Sequence, residues 1–76
     1  MQTYEVMAHW DAEAKVWWAE SSDVPGLVAE SDTKDGLMAD LRVLVPELLV
    51  LNKCAPAGER VQLRVIMEET EDLCLA

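Results

Sequence analysis

The sequence predicts an α+β fold: a four-stranded mixed sheet covered on one face by a single kinked helix, in the order β-β-β-α-β. Three observations lead there. Residues 3–31 hold three short apolar stretches separated by turn signals, the first alternating with period two in the manner of a half-buried strand. Residues 33–52 switch to leucines at helical spacing. Residues 61–68 return to alternation. The chain has 76 residues, a single domain, and at that size only about 60% of the unfolded surface is buried on folding. One sheet and one helix are as much as such a core can fill.

Each element has its own signature. In T-Y-E-V-M-A-H-W, residues 3–10, Tyr4, Val6, Ala8 and Trp10 share one face, and Thr3, Glu5, Met7 and His9 share the other. D-A-E-A-K, 11–15, is a polar hairpin connection. The second strand is V-W-W-A-E-S, 16–21. Adjacent strand residues point to opposite faces, so the tandem indoles must part. Trp17 shares a face with Ala19 and Trp18 with Val16; alternation leaves open which indole meets the helix, and with Trp17 inward Trp18 lies on the outer face. In D-V-P-G, Pro25 suits the second position of a β-turn and Gly26 the positive φ that a type II turn needs next. Leu27–Glu30 is the third strand, which closes an antiparallel meander over 3–31.

Thr33, or Asp32, caps the helix, and Asp35 in the first turn suits its dipole. Leu37, Leu41, Leu44, Leu48 and Leu51 form the apolar stripe to about Asn52, widened by Met38, Val45 and Leu49; Val43 and Val50 fall outside it. Pro46 removes a backbone donor, which predicts a kink near Arg42–Pro46 or a break into two helices. K-C-A-P-A-G-E-R, 53–60, is a loop. In the fourth strand, 61–68, Val61, Leu63, Val65 and Met67 point one way and Gln62, Arg64, Ile66 and Glu68 the other. Residues 69–76 read as a loosely ordered acidic tail. A right-handed crossover places strand four parallel to strand one, in spatial order 3-2-1-4.

The formal charge is −9, from fifteen acidic and six basic residues. Such a surface repels nucleic acid and anionic membranes and favours either solubility alone or a basic partner. No apolar run approaches the roughly 18 residues of a membrane span. Cys54 and Cys74 lack metal or redox spacing, and no signal peptide precedes the first strand, so both thiols are expected free in a reducing cytoplasm.

Together, Y-E-V-M-A-H-W-D, V-W-W-A-E-S, the turn D-V-P-G-L and the helix opening S-D-T-K-D before a leucine-rich stripe resemble the HicB-like family, over residues 3–52 closely and the last strand loosely. The resemblance implies a partial ribonuclease-H-like β-β-β-α-β layer. It also implies a role like that of the HicB antitoxins, which bind HicA toxins, small basic RNA-cleaving proteins. Full antitoxins usually carry a C-terminal DNA-binding module. This sequence stops after strand four, so operon autoregulation does not carry over. A second departure is Gly36, where the family usually has a carboxylate. The capping box from Thr33 is then lost, and a weaker helix start is expected.

Catalytic patterns are thin. A ribonuclease-H-type site needs carboxylates converging on two metal ions. Glu5 and Asp40 are the nearest candidates, and strand four offers no interior acid to complete the set. His9 is the sole histidine, with no second ligand beside it. No phosphate loop is present, and no cofactor is implied. The apolar residues left on the outer sheet face, Met7, Val16, Trp18, Val28 and Ile66, point instead to association. The sequence thus predicts a non-catalytic, HicB-like interaction domain, either a homodimer or a neutraliser of a basic HicA-type RNase. The alternative is a small ligand- or metal-binding protein or enzyme using Glu5, His9 or Asp40.

Overall fold

The computed structural model describes residues 1–76. Its elements are β1 (Thr3–Asp11), β2 (Val16–Glu20), β3 (Ala29–Ser31), α1 (Lys34–Leu51) and β4 (Gln62–Glu68). They form one sheet in the order β3-β2-β1-β4. β1 pairs antiparallel with β2, and β2 antiparallel with β3. β4 returns across the helix to lie parallel to β1. Residues 69–76 follow without regular structure.

The tandem indoles separate as the strand geometry requires. Trp17 is 5% exposed and Trp18 38%. The inner sheet face contributes Tyr4, Val6, Ala8, Trp17, Ala19 and Ala29 to the core, and α1 covers them with Leu37, Leu41, Val45 and Leu49. Val24 and Ala55 complete the core from the connecting loops. The helix backbone runs nearest β3 and β2. Leu63, Val65 and Met67 of β4, on the same face, are therefore only half-buried.

Two sequence expectations are corrected, and one that was left open is decided. The third strand begins at Ala29, not Leu27. Val24 to Leu27 close a type II turn, with Leu27 N donating to Val24 O at 3.3 Å and Gly26 at φ +78°. The chain leaves this turn before it reaches the sheet, so Leu27 packs on the core while Val28 stands 85% exposed. The second correction concerns Leu51, which is 75% exposed. The buried line follows Leu37, Leu41, Val45 and Leu49, four residues per step. A helix turns about 100° per residue, so this line drifts around the axis and leaves position 51 at its trailing flank. Of the kink or break predicted near Arg42–Pro46, no break occurs: α1 runs through Pro46. Pro46 and Arg42 are both exposed, so the Arg42 carbonyl that loses its helical donor has water to bond instead.

Side chains finish what the backbone leaves open. Asp11 Oδ1 accepts from Glu13 N and Ala14 N, and Lys15 N donates to Asp11 O, closing the β1–β2 hairpin. Beyond Glu20 the ladder continues through side chains. Asp23 Oδ2 accepts from Glu5 N at 2.8 Å, and the Ser21 hydroxyl donates to Glu5 O. The same Ser21 oxygen accepts from Asp23 N and Val24 N. D-V-P-G is therefore scaffold: it ends β2, seats Val24 in the core and turns the chain toward the helix. At the helix N-terminus Thr33 Oγ1 accepts from Gly36 N at 2.9 Å. At the C-terminus Lys53 takes φ +58°, with Lys53 N donating to Val50 O and Cys54 N to Leu49 O. This is a Schellman closure without the usual glycine.

Candidate functional site: the outer face of the sheet

The face turned away from α1 carries alternate residues of all four strands. Register fixes their neighbours. His9 stands opposite Trp18, and Trp18 opposite Glu30. Met7 stands opposite Glu20 on one side and Ile66 on the other. The apolar residues therefore form two groups rather than one sheet of grease. Met7 and Ile66, both half-buried, pair at the β1–β4 side. Val16, Trp18 and Val28 line an open groove of about 450 Å³ at the β2–β3 side.

Between the groups lies a polar seam. Glu20 Oε2 sits 2.8 Å from His9 Nε2, and no other polar group reaches that nitrogen. The imidazole in turn stacks on Trp18, with ring centroids 4.5 Å apart and planes tilted by 31°. The imidazole packs against one face of the Trp18 indole and restricts it on the outer face. A fixed aromatic loses less freedom on binding than a mobile one, which is what an anchor residue needs. Further along, Arg64 Nε lies 3.7 Å from Glu5 Oε2. The groove is edged by Asp11, Glu20 and Glu30, so its rim is acidic.

Met7, Val16, Trp18 and Ile66 lie on the outer face of the sheet, whereas Val28, expected within the third strand, reaches the groove from the loop before β3. Sequence reasoning alone does not find the His9–Trp18 stack or Glu30 across from it. The signal is present in the connection: a four-residue loop at 12–15 places residue 9 opposite 18. The candidates for chemistry are not brought together. Glu5 and His9 are on the outer face, two pleats apart along β1, while Asp40 is on the exposed side of the helix, across the sheet. No three His, Cys, Asp or Glu side chains converge as a metal site would require. Cys54 and Cys74 are both free and exposed.

A second groove, of about 480 Å³, opens at the helix N-terminus beside Trp10 and Trp17. Lys34 crosses it, with Nζ 5.1 Å from the Trp17 ring centroid and 3.9 Å from Glu69 Oε1. The ammonium lies over the ring of the core indole, a cation–π contact that serves the fold. No helix of the chain is long and apolar enough to cross a membrane.

Residues 3–75 match the model of a family described as a domain of unknown function, DUF1902. No curated protein matches the chain. Among solved structures, the crystal structure of a hypothetical protein from the extremely thermophilic bacterium Thermus thermophilus is similar. It is 42% identical, the alignment covers 97% of this chain and 100% of that one, and the TM-score is 0.68.

Proposed function

This chain belongs to the DUF1902 family, and we propose that it is a non-catalytic interaction module of the HicB-like kind, docking a basic protein on the outer face of its sheet. The observation that carries this reading is Trp18. It is a large aromatic, 38% exposed, stacked on His9 and bordered by a groove whose rim is acidic. Indole anchors surrounded by charge are where interfaces concentrate their binding energy. A second copy of the same face would set Glu20 and Glu30 against like charges, which costs several kcal/mol at an interface. A partner rich in Lys and Arg meets the opposite field and is steered to it.

The resemblance to HicB antitoxins supplies a partner of that chemistry, a small basic RNase of the HicA type. Seating such a toxin against Trp18 would cover its surface without any catalytic group from this chain. The reading is tested by titrating the protein into an RNA-cleavage assay with a HicA-type RNase. Stoichiometric inhibition is expected, and the absence of a complex at micromolar concentration would contradict it.

A further inference from the structure

The two edges of the sheet are treated differently. β3 is three residues long and is bounded by the Pro25–Gly26 turn and by Ser31–Asp32, so it offers little to a foreign strand. β4 is seven residues long, keeps register with β1 through all seven, and contains no proline, glycine or lysine. Natural proteins blunt an exposed edge with proline, bulges, short strands or charge; here only the charges of Arg64 and Glu68 stand on the strand, one of each sign.

Its open side can be read residue by residue. Gln62 N donates to Gln2 O, so Gln62, Arg64, Ile66 and Glu68 direct their backbone groups at β1. Leu63, Val65 and Met67 direct theirs outward. The side chains of these same three form the inner-face fringe that α1 leaves half-covered, whereas Tyr4, Val6 and Ala8 beside them are buried. Free backbone groups and uncovered apolar area thus coincide along one strand.

We propose that the occupant of this edge is β4 of a second copy, antiparallel, with the two-fold axis at Ile66. Outward groups must meet outward groups, so only residue-centred registers are open. Centring on Arg64 sets two guanidinium groups against each other. Centring on Val65 sets Arg64 against Ile66. Centring on Ile66 places Arg64 opposite Glu68 of the second copy twice over, Ile66 against Ile66, and Val65 against Met67 on the inner side. That register alone matches charge with charge and grease with grease. The dimer continues the sheet across eight strands and leaves the Trp18 groove, at the far side, free on each copy, whatever docks there.

Cysteine cross-linking in a C54S/C74S background reads the register. At a non-hydrogen-bonded pair on the axis the Cα atoms lie about 4.5 Å apart, inside disulfide range, whereas residues 65 of the two copies would be more than about 7 Å apart, outside it. Ile66→Cys is expected to form a disulfide dimer on mild oxidation and Val65→Cys to remain monomeric. Equal yields, the reverse preference, or no cross-link at either position would overturn the proposal. In sedimentation of the full chain, Arg64→Glu and Glu68→Arg should each weaken self-association about tenfold, the equivalent of 1.4 kcal/mol, and the double swap should restore it. A chain that is monomeric throughout, or a dimer abolished by Trp18→Glu but untouched by the charge swaps, would overturn it equally.

Discussion

At the scale of single residues, Gly36 shows how a missing side chain can be a requirement. Its sequence signature is a lost capping box. The structure shows the loss made good from upstream, because Ser31 Oγ lies 3.4 Å from Thr33 N and takes the N–H that a carboxylate at position 36 would have served. A Cβ at Gly36 would collide with that Ser31 oxygen and lie 2.9 Å from Thr33 Oγ1. Alanine is otherwise the better helix former by about 1 kcal/mol. We therefore expect Gly36→Ala to be less favourable in the wild-type chain, where the Ser31 hydroxyl must rotate away and give up Thr33 N, than in a Ser31→Ala background, where the 2.9 Å approach to Thr33 Oγ1 remains. In chemical denaturation the double-mutant cycle should give a coupling of at least ~0.5 kcal/mol. Additive effects would show that the cap does not constrain position 36. The exchange is not legible in the sequence, since Ser31 looks like an ordinary strand-end residue until the turn brings its hydroxyl over the helix start.

At the scale of elements, periodicity makes the fold legible and boundaries escape it. Strands β1, β2 and β4 alternate over five or more residues, and α1 runs for eighteen, lengths over which only one period fits. β3 has three residues, too few to define a period, and Val28 beside it reads as strand because nothing local distinguishes an apolar loop residue from a strand residue. Leu51 misleads for a related reason: leucine spacing fixes a helical face but not the angle at which the helix crosses the sheet. Pro46 belongs here too. It interrupts the hydrogen bonding of α1 from a largely exposed position, touching only a small cavity shared with Ala55, Pro56 and Val61. Pro46→Ala should raise stability by about 1–3 kcal/mol, within the proline penalty of a helix interior. An unchanged or lower midpoint in urea would mean that neighbouring contacts depend on the proline.

At the scale of the whole molecule, the tandem indoles separate a face packed under the helix from an outer face left open. Domains of this size have a total stability on the order of 4–11 kcal/mol. Trp17→Glu leaves an unpaired charge in the core, at a cost of about 3–5 kcal/mol, and gives up a buried indole, at about 3–5 kcal/mol more; together these match the whole stability, so the chain should be largely unfolded by circular dichroism. Trp18→Glu, on the outer face, should keep a native spectrum and a melting temperature close to that of the parent. Equal damage from both would mean that the outer indole is structural. That division is visible in the sequence as two adjacent tryptophans in an alternating strand. What is not visible there is that His9 and Glu20 split the outer apolar residues into two groups, a matter of cross-strand register rather than of composition.

The most direct measurement is the affinity of a HicA-type RNase for the wild-type protein and for Trp18→Ala, by calorimetry at moderate salt. Docking on the outer face predicts micromolar or tighter binding by the parent and a loss of at least about 2 kcal/mol on removing the anchor indole. Undiminished affinity in Trp18→Ala, or no heat of binding from the folded parent, would contradict it.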